Sequence, residues 1–564
     1  MALIPCRHGH PRPVGPTRDR PATRRPRPPC VREGLLWNMG IAALIPSSPL
    51  GVSALFWALF WIAVATPLAA QVHYDTANGS PWNQRANAGP DAEVPGWYYN
   101  LGVTGMRAEL VEAEPKGLVV RHVFPGSIAS GQIEAGDVIV GAGGQLFQSP
   151  HRNGYGEEVF GGHGPIMELA DALEACQGKK ADGKLKLMVR RNGKQGNVVL
   201  TVGKTYGSYA PTFPAKCPKS EKILGECLAL LMANQNEEGA FGNILADMFA
   251  PLALLASGDP KCMPAVTRMV ERICRETKPL EQRSDGLVNW FFMSNAIIVS
   301  EYYLATGDKR VLPALQQIHD NIAQGQYLDM AQINPKAKES HPDSFPKGPR
   351  DSHGGWGHNP GFEGYGPISM LTGQGALAYS LMQRCGIKVD RQRHDAAYDF
   401  LQRGTGPNGY VWYGDTIGGS PDGWADMGRT GAAGIANVLS PYPEAIYRER
   451  ATAHARVIGL HPQSFPDTHA SPMMGMAYTA LAANVDQQSF RSLMDSNRWW
   501  FTMAQCSDGT FYYQPNRDNA GYGDTNRAMA SAVVAFIYSI PKQSLVITGK
   551  QPAKKPAGRR SSSR

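Results

Sequence analysis

Cysteine pairs, hydrolase signatures and a sustained charge of one sign are all missing from the folded part of this 564-residue chain. Nine Cys occur, an odd number with no CxxC spacing, which argues against a zinc site and against a complete disulfide framework. Buried free thiols are the reading for Cys176, Cys227 and Cys385, with one or two bridges left open for the others. The net charge is +8, yet residues 1–38 contribute +6 and the tail from Lys550 another +6, so the middle of the chain is slightly acidic. A nucleic-acid partner inferred from the basic balance is therefore excluded for the globular part. There is no Gly-x-Ser-x-Gly elbow and no phosphate-binding P-loop, and neither a cofactor nor a metal is expected.

Long apolar runs are also scarce. The one of note, Val52–Ala70, follows a basic, Pro-rich head and ends in small residues before Gln71. It suits a signal peptide cleaved near Ala70, so that the exported form begins near Gln71; its length also permits an uncleaved membrane anchor. Either way the chain is expected to be exported, as a periplasmic, secreted or membrane-anchored protein.

What the sequence does contain is a repeat. From Pro218 to Ile540, amphipathic segments alternate with segments that are apolar nearly all round. The amphipathic, outer kind comprises residues 219–233, 264–277, 311–324, 390–402, 443–457 and 488–503. The apolar, inner kind comprises residues 243–255, 288–305, 368–383, 430–439, 472–483 and 525–540. A helix apolar all round must be buried, so the inner helices are expected to line a ring and the outer ones to cover it. Six such pairs describe an (α/α)6 toroid of six helical hairpins, with a funnel at one end. The expected organisation is a head and signal or anchor over 1–70, a linker over 71–95, a small mostly-β domain over 96–204, a connector over 205–217, the toroid over 218–541 and a basic disordered tail over 542–564.

The loops before the inner helices share polar-Gly-aromatic turns, as in His353-Gly354-Gly355-Trp356-Gly357-His358 and Pro407-Asn408-Gly409-Tyr410-Val411-Trp412. These turns resemble those of terpenoid-cyclase and prenyltransferase toroids, and Tyr303-Leu304-Ala305-Thr306-Gly307-Asp308 resembles a turn of six-hairpin glycosidases. The protonating Asp-x-Asp-Asp run of a terpenoid cyclase is missing, as is the Gly-Cys-Gly-Glu-Gln of a thioester domain. In the small domain, Tyr99-Asn100-Leu101-Gly102-Val103, Gly117-Leu118-Val119-Val120 and Ile133-Glu134-Ala135-Gly136-Asp137 resemble a bacterial PDZ domain of the kind appended to envelope proteases. That resemblance implies that Leu101, Gly102 and Val103 receive the C-terminal carboxylate of a partner peptide and that the next strand pairs with it. Docking of the module on the toroid is the alternative. The order of signal, PDZ-like unit, Pro-rich join and ring, with Gly428-Arg429-Thr430-Gly431 and His469-Ala470-Ser471-Pro472, resembles an uncharacterised exported family seen chiefly in planctomycetes.

Two expanded loops, Tyr327–Gly366 and Gly404–Arg429, precede inner helices and so fall at the funnel mouth, where function usually sits. His353, Trp356, His358, Asp415, Asp426 and Arg429 are the expected ligand-binding residues. If the ring is an enzyme, Asp422 and His469 are the acid/base candidates. Structural readings compete. Asp426 and Arg429, three apart at a helix start, suit an ion pair, and His353 and His358 around Trp356 make only a weak metal pattern. A scaffold that binds a glycan or a protein, or alternatively a glycoside hydrolase or polysaccharide lyase, is the functional expectation.

Overall fold

The computed structural model describes residues 71–72, 96, 98–111, 113–153, 164–282, 286–418, 425–466, 468, 472–512, 514–515 and 527–550. The apolar run at 52–70 lies outside them, as do Asp422 and His469. Among the described residues no helix is long and apolar enough to cross a membrane.

The small domain is an antiparallel sheet of β1 (Tyr99–Asn100), β2 (Met106–Glu109), β3 (Leu118–Val123), β4 (Val138–Ala142), β5 (Gln145–Leu146), β6 (Lys184–Arg191) and β7 (Lys194–Thr201). The strands run β1-β2-β3-β4-β6-β7, and β5 pairs with β4. The β6–β7 hairpin turns at Asn192-Gly193, both with positive φ of 50° and 75°, as a two-residue primed turn requires. One helix, α1 (Pro165–Cys176), starts at a Pro on its first turn and buries Ile166, Leu169, Ala170 and Leu173 against the sheet.

The helical part follows the alternation in the sequence. Inner helices are α3 (Ile244–Ser257), α5 (Val288–Thr306), α7 (Ser369–Arg384), α9 (Gly428–Leu439), α11 (Pro472–Ala483) and α14 (Ala528–Ser539). Each packs on the next, and α14 packs back on α3, so the inner set closes on itself. Outer helices α2 (Pro218–Asn234), α4 (Met263–Glu276), α6 (Leu312–Gly325), α8 (Arg391–Arg403), α10 (Ala445–Leu460) and the pair α12 (Gln487–Ser496) and α13 (Arg498–Ala504) lie against it. Every residue of α14 is buried, which is why that helix carries no polar face. Helices α9 and α11 approach so closely that a Cβ on Gly431 would stand 2.4 Å from the Tyr478 backbone carbon; only glycine fits there.

Two of the departures from the expected boundaries have side-chain causes. The last outer segment is broken at Asn497, whose side-chain amide donates to the Leu493 carbonyl at 2.8 Å and to Pro462 at 2.7 Å. The side chain thus takes a carbonyl that a continuous helix would give to a backbone N–H. Residues 542–550, expected as the start of the tail, instead pack on the ring with Leu545 and Ile547 buried. The fully buried Glu301 of α5 accepts from the backbone N–H groups of Val546, at 3.0 Å, and Ile547, at 2.7 Å.

Burial pushes the Glu301 carboxyl up from 4.5 to about 7, against the pull of those two N–H donors. Between these values the folded chain holds a proton that the unfolded chain has lost. The contribution of Glu301 is therefore full below pH 4.5 and is lost as pH rises to about 7. At about 1.4 kcal/mol per unit the swing is about 3 kcal/mol. Urea unfolding between pH 4.5 and 7.5 is expected to show wild type losing stability relative to Glu301→Gln by about this much; parallel curves would show that Glu301 stays ionised in the fold.

Candidate functional site

The end of the ring where the inner helices begin collects the expanded loops. The Tyr413 carbonyl accepts from the Ser369 N–H at 2.8 Å, tying the second loop to the start of α7. From this anchor a chain of polar aromatics runs along the rim. The indole N–H of Trp290, on the first turn of α5, donates to His358 Nδ1 at 2.7 Å. His358 Nε2 is hydrogen-bonded to the Tyr365 hydroxyl, and the Tyr413 hydroxyl donates to that same oxygen at 3.2 Å. The rings of Tyr365 and Tyr413 lie 5.9 Å apart, and Tyr413 is 38% exposed.

Donor counting fixes the protons in this chain. An indole N–H only donates, so Nδ1 of His358 must accept, and the neutral ring carries its hydrogen on Nε2 and donates to Tyr365. Tyr365 thus accepts twice and keeps its own O–H for a further acceptor. Burial holds the His358 imidazole below its ordinary value, with Glu363 pulling the other way. A second proton on His358 would also break the Trp290 bond, so the group is a fixed donor rather than a base.

Beside Tyr413, the Arg429 guanidinium stands 5.6 Å from the ring centre. It donates to Asp426 at 2.6 Å and to the Tyr410 hydroxyl at 2.7 Å. Asp426, at a positive φ of 55° just before α9, is buried in this pair. The structural reading of Asp426 and Arg429 as an ion pair is the one observed. A second node joins the loops: Arg403 donates twice to one Asp415 oxygen, at 2.9 and 3.1 Å, and to the His353 carbonyl at 2.8 Å. The Ser352 N–H completes the Asp415 site at 2.9 Å.

The structure therefore brings His358, Asp426 and Arg429 into one rim network and puts Asp415 and His353 in a neighbouring loop clamp. It corrects the expectation for Trp356, which is fully buried between helices and donates to the Ile322 carbonyl at 2.8 Å. Trp290, Tyr365 and Arg403 went unnoticed in the sequence. Trp290 lies in a segment that reads as plain lining, and Tyr365 is one of several loop aromatics; the Gly on either side of it was the available signal.

The loop of Leu101, Gly102 and Val103 is covered, not open. Leu101 and Val103 are buried, and a Cβ on Gly102 would lie 3.0 Å from the Thr502 carbonyl oxygen of α13. The outer edge of β2 is already paired with β1. The backbone of β1 is in turn read by a side chain, since Asn100 N donates to Gln514 Oε1 at 2.9 Å and Gln514 Nε2 donates to Asn100 O at 3.1 Å. The Asn100 amide also donates to the Met503 and Gln505 carbonyls, at 2.7 and 2.9 Å. This carboxamide occupies the edge as a peptide strand would.

Among solved structures the chain is similar to an inactive variant of the α-1,6-mannanase GH76A of Salegentibacter sp. HEL1_6 in complex with α-1,6-mannotriose. That match has 13% identity, covers 57% of this chain and 98% of the other, and has a TM-score of 0.40. It is also similar to cellobiose 2-epimerase from Bacillus thermoamylovorans B4167, with 11% identity, 56% and 98% coverage and a TM-score of 0.38. A variant of the type II terpene cyclase MstE from Scytonema matches with 14% identity, 57% and 97% coverage and a TM-score of 0.35. A search of curated proteins finds no match. The family described as "Domain of unknown function (DUF6288)" matches residues 220–549, from the first turn of α2 to the segment strapped over Glu301, and the chain belongs to it.

Proposed function

We propose that this chain is an exported glycan-binding protein, with a six-hairpin (α/α)6 toroid as its scaffold and a PDZ-type module docked upon it. The observation that carries the reading is the rim chain Trp290–His358–Tyr365–Tyr413. It offers two tyrosine rings and a phenol O–H directed by two incoming hydrogen bonds. Pyranose rings have apolar C–H faces and a girdle of hydroxyls, so stacked aromatics with fixed neutral donors suit them. Binding fits the described residues better than catalysis: His358 is held neutral, and Asp415 and Asp426 are each tied to an arginine. A C-terminal peptide would reach Leu101, Gly102 and Val103 only by displacing α13, so docking is the proposed role of the sheet domain.

A carbohydrate-active enzyme, hydrolase or lyase, is the second reading, and one observation favours it. Asp247 lines a cavity beside Glu276, and burial raises its carboxyl above the ordinary range, as a general acid requires. Asp422 and His469, outside the described residues, are the other proposed acid/base groups.

Purified full-length protein titrated against a panel of polysaccharides is expected to bind at least one of them. Tyr365→Phe should weaken that binding about tenfold, the worth of one well-placed hydrogen bond, with a stability loss of no more than about 1 kcal/mol. Equal affinity in the variant would remove the rim from the site. Reducing-end and unsaturated-product assays on the same panel separate the readings. Turnover abolished by Asp422→Asn or His469→Ala would replace the binding reading with the enzymatic one.

A further inference from the structure

A cavity of about 220 Å³ lies between α3, α4 and α5, and no residue of the rim chain is part of its lining. Phe291 and Met248 supply its apolar wall, and Asp247, Arg272, Glu276 and Asn295 supply its polar one. Local sequence places these groups. Asn243 caps α3 by accepting from the Ala246 N–H at 2.9 Å, which sets Asp247 in the first turn, and the amphipathic α4 turns Arg272 toward it. Asp247 accepts from the Phe241 N–H at 2.6 Å and from Arg272 at 3.1 Å, while Arg272 Nε donates to Glu276 at 3.0 Å. The guanidinium is thus held as a fixed fork between two carboxyl groups.

The cavity has a floor and a mouth. On the side of Met248 and Ser294 the next space is a void of only about 10 Å³, lined also by Gln374, Met474 and Tyr478. Glu276 is exposed, so the opening is on its side. The pocket is blind, and its volume falls below the roughly 300–1,000 Å³ of sites for drug-sized ligands. A single ring fits it; a chain passing through does not.

We propose that this blind cavity takes one terminal pyranose of the glycan, which rests on the glycan reading above. Both carboxyls already contact the one guanidinium, so the wall holds no unpaired cation for an anionic ligand, and its excess of one carboxyl is what a small cation would test. Planar carboxyl, amide and guanidinium groups each present paired hydrogen-bonding atoms at the spacing of vicinal hydroxyls. Phe291 and Met248 offer the surface that the C–H face of a sugar covers.

Saturation-transfer difference NMR on the full chain, with methyl glucopyranoside, galactopyranoside and mannopyranoside as probes, tests this. Saturation of the ring C–H protons is expected for at least one epimer. Asn295→Leu and the isosteric Asp247→Asn should each weaken that probe about tenfold, and Tyr365→Phe should leave it unchanged while weakening the polysaccharide. A pyranoside signal that Tyr365→Phe removes and both pocket variants keep would overturn the proposal and leave the rim reading standing. Displacement of the pyranoside by n-butylammonium would also overturn it, by showing that the pocket prefers a cation. Polysaccharide binding with no pyranoside signal sinks the pocket alone; no binding of either kind sinks both.

Discussion

Glu174→Ala is expected to lower the unfolding free energy of the full chain by about 3–5 kcal/mol, the cost of leaving a buried charge without its partner. Glu174, on α1 of the sheet domain, is ion-paired with Lys219, whose side chain on α2 is fully buried. The same carboxylate accepts from the Thr502 hydroxyl of α13 at 3.0 Å and from the Tyr209 N–H of the connector at 2.9 Å. Lys219 also stands 4.2 Å from the centre of the Tyr209 ring. Burial pulls the Lys219 amine below its ordinary value and Glu174 pulls it back, so removing Glu174 leaves desolvation unopposed. Three separate segments of the ring and connector lose their common acceptor, and the sheet domain loosens. Urea unfolding and proteolysis of the 205–217 connector should report the two effects together. The double change Glu174→Gln with Lys219→Met should recover most of the loss, because an apolar replacement of a buried pair is often neutral. A cost for Glu174→Ala of about 1 kcal/mol or less, the range of exposed pairs, would show that water reaches this junction.

What was legible in the sequence is what is local. Helix α5 begins at Val288 and α11 spans Pro472–Ala483, as their periodicity predicts, and β3 spans Leu118–Val123 as its apolar run does. The break at Asn497 escaped notice because it depends on where one amide points, toward Leu493 and Pro462, and not on hydrophobic period. Residues 542–550 read as tail for a similar reason: Leu545 and Ile547 form too short an apolar pattern to register, and their anchor Glu301 lies far back in the chain. Covering of the Leu101 loop is a contact between residues some four hundred positions apart, Asn100 with Gln514, which no window of sequence contains. Loop position alone grouped His358, Asp426 and Arg429, which the structure links through Tyr365 and Tyr413. Donor chemistry then decided their roles, and that needed the partner Trp290.

Trp356 is where loop position misled, and its removal has the other large expected effect. The residue sits in the Gly-rich loop before α7, where an aromatic could serve as a sugar platform. Its ring instead goes inward, 0% exposed, edge-on to Tyr379 at 5.5 Å, with the indole N–H donating to the Ile322 carbonyl of α6. Gly375 of α7 makes the room, because a Cβ there would stand 2.8 Å from the indole ring. Trp356→Ala empties this space and strands the Ile322 carbonyl. A large-to-small change of this kind costs about 3–5 kcal/mol, and the unmet carbonyl adds about 1 kcal/mol. Trp356→Phe refills part of the space without the N–H and should cost clearly less. Well below the melting temperature of the Ala variant, its remaining folded fraction is expected to bind polysaccharide with the affinity of wild type, because the indole is engaged with Ile322 and Tyr379. A Trp356→Ala protein as stable as wild type but unable to bind would restore the residue to the site and remove it from the core.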